Sequence, residues 1–267
     1  MVTSPGLPDS LSVDVRGDVA VLRLDRAHKR NALDTTTVLG LEAFFTSPPE
    51  GVRAVVLHGD GDHFCAGLDL TDLSATTVEA GLHHSRMWHR VMGAVQLGPL
   101  PVVSALKGAV IGGGLELASA THLRVAEPST FYALPEGQRG LFLGGGGSVR
   151  LPRLIGVARM TDLMLTGRVY DAQEGHDAGL SHYLVAQGEG LEKALELANK
   201  AAAVAPMTRY AVLQALPRIA EIGPHEGYLL ESLMAAVASS SEDAQARMRD
   251  FLDGRAARVT APAGDAG

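Results

Sequence analysis

Three short segments marked by glycine place polar groups where a small ligand could come against the backbone. The first is Phe64-Cys65-Ala66-Gly67-Leu68-Asp69-Leu70. Its small-small-Gly turn permits close approach and leaves amides such as that of Leu68 free to donate. Taken alone, it is better read as an ordinary β-to-α turn. The second is Gly108-Ala109-Val110-Ile111-Gly112-Gly113-Gly114-Leu115-Glu116. Glycines opening a helix expose unpaired amides, and the helix dipole adds positive potential there, so this N-terminus could stabilise a developing oxyanion. Glu116 follows Gly113 by three residues and so lies on the same face, one turn along. Close helix packing with a solvated glutamate accounts for these residues equally well.

The third segment is Ala133-Leu134-Pro135-Glu136-Gly137, followed by Leu143 and Gly144-Gly145-Gly146-Gly147. Pro135 fixes the backbone beside Glu136, and the glycine run permits tight contact with a ligand. A phosphate loop is the competing reading, and it fails on two counts. No lysine occurs between Gly144 and Leu151, and Val149 stands where the last glycine of a Gly-x-Gly-x-x-Gly run should be. No Gly-x-Ser-x-Gly elbow occurs either, which argues against a serine hydrolase. His83, His84 and His89 share one helical stretch but lack an HExxH pattern and a third-ligand signature, so no metal is expected. Trp88 and His89 are read as lining an apolar pocket or the core.

The elements that must position these groups follow from hydrophobic periodicity. Leu11–Val15 and Val19–Leu24 read as strands broken by Arg16-Gly17-Asp18, and a helix follows that ends before Pro48-Pro49. Arg53–Leu57 and Val102–Leu106 read as buried strands, Val78–Leu97 as a helix closed by Pro99 and Pro101, and Leu115–Ala120 as the helix behind the glycine triplet. Leu123–Ala126 and Thr130–Ala133 read as short strands, and the loop Gly137–Gly147 leads into helices through about Gly179. From Glu189 the pattern is almost wholly helical, broken by Pro206, Pro217 and Pro224, and Thr260–Gly267 is expected to fray. Strand, strand, helix recurs without a fixed period, which suggests a coiled stack of ββα turns with a helical appendage.

At 267 residues the chain has room for one large domain, or for one domain with a small appendage, and 46% hydrophobic residues suit a substantial core. A net charge of −7 argues against a nucleic-acid partner or a membrane surface, both of which favour a basic face. Cys65 is the sole cysteine, so no internal disulfide forms and a reducing compartment fits. The segment MVTSPGLPDS has neither a basic nor an apolar signal region, and no apolar run reaches the roughly 18 residues of a membrane span. The expectation is a cytoplasmic globular protein.

In combination, the three segments resemble the crotonase superfamily, the enoyl-CoA hydratases and isomerases. The likeness runs from Arg26-Ala27-His28-Lys29-Arg30-Asn31-Ala32-Leu33 through Leu165-Thr166-Gly167-Arg168 to Ala178-Gly179-Leu180. The resemblance implies an α/β fold, a crotonase-like spiral of ββα turns over residues 1–200. It implies a C-terminal helical region over 201–267 used in trimerisation, and assembly as a trimer or a dimer-of-trimers hexamer. It implies an acyl-CoA thioester as substrate, with coenzyme A as part of that substrate and no separate cofactor.

The resemblance also assigns roles to residues. The backbone amides of Leu68 and Gly113 would form an oxyanion hole for the thioester carbonyl. Family hydratases carry two glutamates, matched here by Glu116 and Glu136. Glu116 would help activate the water that attacks Cβ, Glu136 would deliver a proton to Cα, and the Gly144 amide would help to hold the water. Arg30, Ala66, Leu68, Asp69 and Leu70 would contact the substrate and its CoA, joined by Arg255 from a neighbouring subunit. Trp88 and His89 would shape acyl selectivity. Isomerases of the family often keep only the second glutamate, so Glu116 favours hydration. The nucleophilic aspartate of chlorobenzoyl-CoA dehalogenases would fall at Gly144, which disfavours that reaction. Other enolate chemistry (isomerisation, thioester hydrolysis, C–C cleavage) and catalytically silent acyl-CoA binding are the alternatives. Three positions depart from the pattern: Leu143 replaces a usual proline, Gly137 an aliphatic residue, and Thr71 a common cation.

Overall fold

A computed structural model describes residues 6–72 and 77–256. The run 260–267, expected to fray, lies outside the described residues. Strands β1 (Leu11–Arg16) and β2 (Val19–Leu24) pair antiparallel about Gly17, whose φ of 59° suits a residue without Cβ. Helix α1 (Thr35–Thr46) starts where the Asp34 carboxylate accepts the Thr37 amide. There follow β3 (Ala54–Gly59), the long α2 (Val78–Gln96), β4 (Val102–Leu106), β5 (Ala109–Ile111) and α3 (Gly113–Ala120). Next come β6 (Leu123–Ala126), β7 (Phe131–Ala133), α4 (Gly147–Ile155), α5 (Val157–Thr166), β8 (Val169–Tyr170), α6 (Ala172–Ala178), β9 (Tyr183–Leu184) and α7 (Gly190–Ala202).

The first sheet has the order β1-β2-β3-β4-β6-β9, parallel from β2 onward, and the second has the order β5-β7-β8. Alternation along β2, β3 and β4 divides their side chains between two faces. Leu22, Leu57 and Leu106 enter one core with Leu41 of α1, Met92 of α2 and Leu115 of α3. Val21, Val56 and Val103 enter the other, covered by Ala194, Leu197 and Ala198 of α7. Burial on both faces explains why these strands read as nearly continuous apolar runs.

The chain makes the expected spiral of ββα turns. β4 in the first sheet leads to β5 in the second and then to α3; β6 leads likewise to β7 and on to α4. β3 reaches the second sheet through a single bridge of Cys65 to Val110 before α2. Stacking the turns brings the ends of three second-sheet segments side by side, since the Ile111 amide donates to Cys65 O and the Gly112 amide to Ala133 O. The three glycine-marked segments are these ends.

β3 runs two residues past its expected end, because its pairing with β2 continues to Leu24 and Gly59. β8 and β9, two residues each, were not expected, and the loop after Pro135 contains a 3-10 turn over Gly137–Arg139. The chain divides into two compact units between Ala203 and Val204. The second holds α8 (Pro206–Tyr210), a π-helical turn Ala211–Ala215, α9 (Leu216–Ile219), α10 (Pro224–Ser239) and α11 (Glu242–Leu252). Pro206 and Pro224 each open a helix, where a missing N–H costs no intrahelical bond.

Candidate active site

The loop of residues 26–33 sets the first amide. Arg30 and Asn31 both have positive φ, 52° and 56°, and Asn31 secures this turn with its side chain. Its Nδ2 donates to Asp60 O and His63 O, and its Oδ1 accepts from the Arg26 amide. The Leu33 amide then donates to Gly67 O, and Leu33 O accepts from the Asp69 amide. Leu68 is thus pinned from both sides while its own N–H donates no hydrogen bond among the described residues.

The second amide belongs to Gly113, the first residue of α3, and it too donates to no described residue. A Cβ placed on Gly113 would stand 3.2 Å from the Leu68 nitrogen and 3.0 Å from the Trp88 ring, so the two amides flank one small space. Gly67, with φ of 96°, faces the same place: a Cβ there would come within 2.7 Å of Ile111 O.

Glu116 sits one turn into α3 and is 4% exposed. Its Oε1 accepts the amides of Gly145 and Gly147, each at 2.8 Å. Both amides converge on it because Gly146 adopts φ of 93° between them. Burial pushes the Glu116 carboxyl above the usual carboxylate range, opposed by the Gly147 and Gly145 amides and by Arg150. Glu136 follows Pro135 at the start of the 3-10 turn. Its Oε1 lies where a Cβ on Gly112 would meet it at 2.5 Å, and its buried Oε2 has no hydrogen-bond partner. Burial raises its carboxyl to about 6, reinforced by Glu116 and opposed by its own backbone amide and by Arg139. Gly137, which replaces the usual aliphatic residue, is required here, since a Cβ would lie 2.1 Å from Met164 O.

These groups share one cavity of about 320 Å³, lined among others by Leu68, Trp88, Gly113, Glu116, Glu136 and Phe142. Ala66, Leu70 and Gly144 also line it. A second recess holds Lys29, Arg30 and Asp69 and shares Ala66, Leu68, Leu70 and Arg139 with the cavity, so cations lie along its margin. Leu143 is buried against the core and lines the cavity.

One assignment needs correction. His89 is exposed and outside the cavity lining; the α2 positions that face inward are Gly81, His84, Ser85 and Trp88, at the i, i+3, i+4, i+7 spacing of one helical face. His84 is the histidine of the site, and its Nε2 accepts the Trp88 indole N–H at 3.2 Å. Asp69 lies in the recess, but its carboxylate is taken up by Lys29 at 2.8 Å, Arg26 at 2.9 Å and Thr71, which hold it far below the usual range. These bonds order the loop beside the recess. Arg255 pairs with Asp250 and Asp253 after α11 in the second unit. Sequence reasoning missed Ser85, Arg139, Gly145 and Gly147.

The raised carboxyl of Glu136 has a consequence for stability. A group whose pKa is higher in the folded chain than its ordinary 4.5 favours folding while protonated, and that contribution is lost as pH rises through about 6. Above that range the ionised side chain weighs against the fold by about 1 kcal/mol, discounted for partial exposure. Glu136→Gln should therefore raise the melting temperature by roughly 2–4 °C at about pH 8 and leave it unchanged at about pH 4. Equal melting temperatures for the two proteins at both pH values would show the carboxyl to be unperturbed.

The sequence matches the enoyl-CoA hydratase/isomerase family over residues 14–260. Enoyl-CoA hydratase EchA19 of Mycobacterium tuberculosis is 30% identical over 262 residues, covering 96% of this chain and 98% of that protein. The fatty acid oxidation complex subunit alpha of Shewanella loihica is 41% identical over 170 residues, 62% of this chain; the aligned part spans 24% of that longer protein. Among solved structures, a crystal structure from Rhodopseudomonas palustris is 56% identical with a TM-score of 0.90, covering 96% of this chain and 98% of that one. The 1.8 Å crystal structure of enoyl-CoA hydratase from Bacillus anthracis is 31% identical with a TM-score of 0.86, covering 92% and 97%.

Proposed function

This chain belongs to the enoyl-CoA hydratase/isomerase family, and from that premise we propose that it adds water across the double bond of a 2-enoyl-CoA thioester. The observation that carries the reading is the unequal setting of two carboxyls in one cavity. Burial raises both carboxyls, but two amides on one oxygen of Glu116 oppose that push and support its ionised form, whereas Glu136 has a buried oxygen with no partner, which favours its neutral form. One base and one acid on opposite duties are what hydration needs.

The thioester oxygen accepts the Leu68 and Gly113 amides, which draw charge from the conjugated bond as it becomes an enolate. Ionised Glu116 takes a proton from water as the water oxygen bonds to Cβ. Neutral Glu136 gives its proton to Cα, and the Gly144 amide steadies the water. One proton passing from Glu116 to Glu136 restores the starting state. Every group in these steps is a side chain or amide of this chain, so the reading calls on no metal or redox cofactor. In this reading Arg30, along the recess with Arg139, would meet the phosphates of CoA. The reading extends to self-association as a trimer or hexamer: Tyr228, Leu229 and Leu233 leave apolar area exposed on α10, and Arg255 would meet CoA across that assembly.

The test is to incubate the protein with crotonyl-CoA and with longer and aryl 2-enoyl-CoAs, following loss of the conjugated thioester absorbance. Hydration of at least one ester is expected, with binding that weakens as salt screens the phosphate contacts. Free enoic acids should neither bind comparably nor react. Equal affinity for acid and ester, or no hydration of any ester, would overturn the reading.

A further inference from the structure

Ser85 stands on the inward face of α2, and its Oγ donates to the carbonyl of Gly144 at 2.7 Å across 59 residues of sequence. That carbonyl and the Gly145 amide belong to one peptide unit. No peptide bond among the described residues is cis, so the two groups point in opposite directions within one plane. At the opposite edge of that peptide the Gly145 amide donates to Glu116 Oε1 at 2.8 Å. The hydroxyl of Ser85 and the carboxylate of Glu116 therefore grip the two ends of a single peptide. The next peptide is gripped as well: Arg150 Nη1 donates to Gly145 O at 3.0 Å, with its Nε fixed by Gln96 Oε1 at 2.7 Å. A run of four glycines has little rotational restraint of its own, so these anchors set where its amides aim.

We propose that Ser85 is a positioning residue that acts through the Gly144–Gly145 peptide to hold and polarise the Glu116 carboxylate. A hydrogen bond accepted at a peptide carbonyl strengthens the bond donated by the same peptide's N–H. Ser85 touches no reacting atom in this account. The role rests on the reading of Glu116 as the base of hydration, yet its geometry can be tested without turnover.

The experiment compares Ser85→Ala in two backgrounds, wild type and Glu116→Gln. The hydroxyl-to-carbonyl bond is a single neutral one, so its loss should lower kcat by roughly threefold to tenfold, with KM within about twofold. In the Glu116→Gln background the same change should lower kcat by less than about twofold, because the group through which Ser85 acts has gone. A serine that merely shapes the cavity would cost the same in both backgrounds, and that result overturns the proposal. A second readout needs no substrate: the ¹³C titration of Glu116 in protein labelled at glutamate. The charged and titratable groups about Ser85 and Glu116 are Arg150, Arg139, Glu136, His84 and His89, whose Nε2 lies 3.5 Å from the Ser85 hydroxyl, all retained in Ser85→Ala. A loosened Gly145 amide supports the ionised carboxylate less, so the Glu116 midpoint should rise. An unmoved midpoint overturns the proposal even where the enzyme hydrates well. A raised midpoint in a protein that hydrates no ester upholds it while the hydratase reading fails.

Discussion

Glu116→Gln and Glu136→Gln should each lower turnover of a 2-enoyl-CoA by roughly 10²–10⁴, the range of a lost general acid or base. Glutamine at 116 keeps an oxygen that can accept the Gly145 and Gly147 amides, so the loop should hold and the loss should report proton transfer. At 136 the substitution removes the proton that the neutral acid delivers and leaves the side-chain volume in place. Because the two carboxyls act as a unit in one addition of water, the double variant should be little slower than the slower single variant. The measurement separates two reactions of the family. An isomerase moves a proton between two carbons and can run on Glu136 alone, whose unpartnered Oε2 suits a shuttle. Rapid shift of a 3-enoyl-CoA, no hydration of any 2-enoyl-CoA and indifference to Glu116→Gln would make this protein an isomerase.

Much of this site is legible in the sequence because its parts are local. Gly113 and Glu116 lie three residues apart on one helix, and helical geometry alone puts them on one face. The parallel strands announce themselves as apolar runs because both of their faces are buried. The phase of α2 was not used, and the pairing of distant segments could not be read. Trp88 and His89 are adjacent in sequence, but about 100° of rotation per residue sends one inward and the other out. The i, i+3, i+4, i+7 set of Gly81, His84, Ser85 and Trp88 was available as a signal, and it would have pointed to Ser85. The four glycines from 144 to 147 are indistinguishable by type; the αL turn at Gly146, with the distant anchors Ser85 and Arg150, brings the amides of 145 and 147 onto Glu116. The partners of Asp69 were hidden for a related reason. Arg26 and Lys29 lie about forty residues away in sequence, and nothing local shows that they occupy its carboxylate.

Gly113→Ala should lower kcat by roughly 10²–10³, the cost of disabling an oxyanion donor. The added Cβ would stand 3.2 Å from the Leu68 nitrogen, beside the space in which the thioester oxygen must reach both amides. Alanine is a good helix former at this first position of α3, so helix formation itself should not suffer. The same Cβ would also press on the outer Trp88 ring atoms at 3.0 Å, and that contact must be separated from the chemical effect. Trp88→Phe shortens the ring and relieves the pressure. In the Gly113→Ala background it should restore thermal stability and leave turnover low, because the methyl still crowds Leu68 N. Recovery of both together would mean that the loss came from packing against Trp88, and the Gly113 amide would no longer be needed as a donor to the thioester. With stability restored and kcat still reduced by roughly 10² or more, the space between Leu68 N and Gly113 N is where charge develops in the reaction.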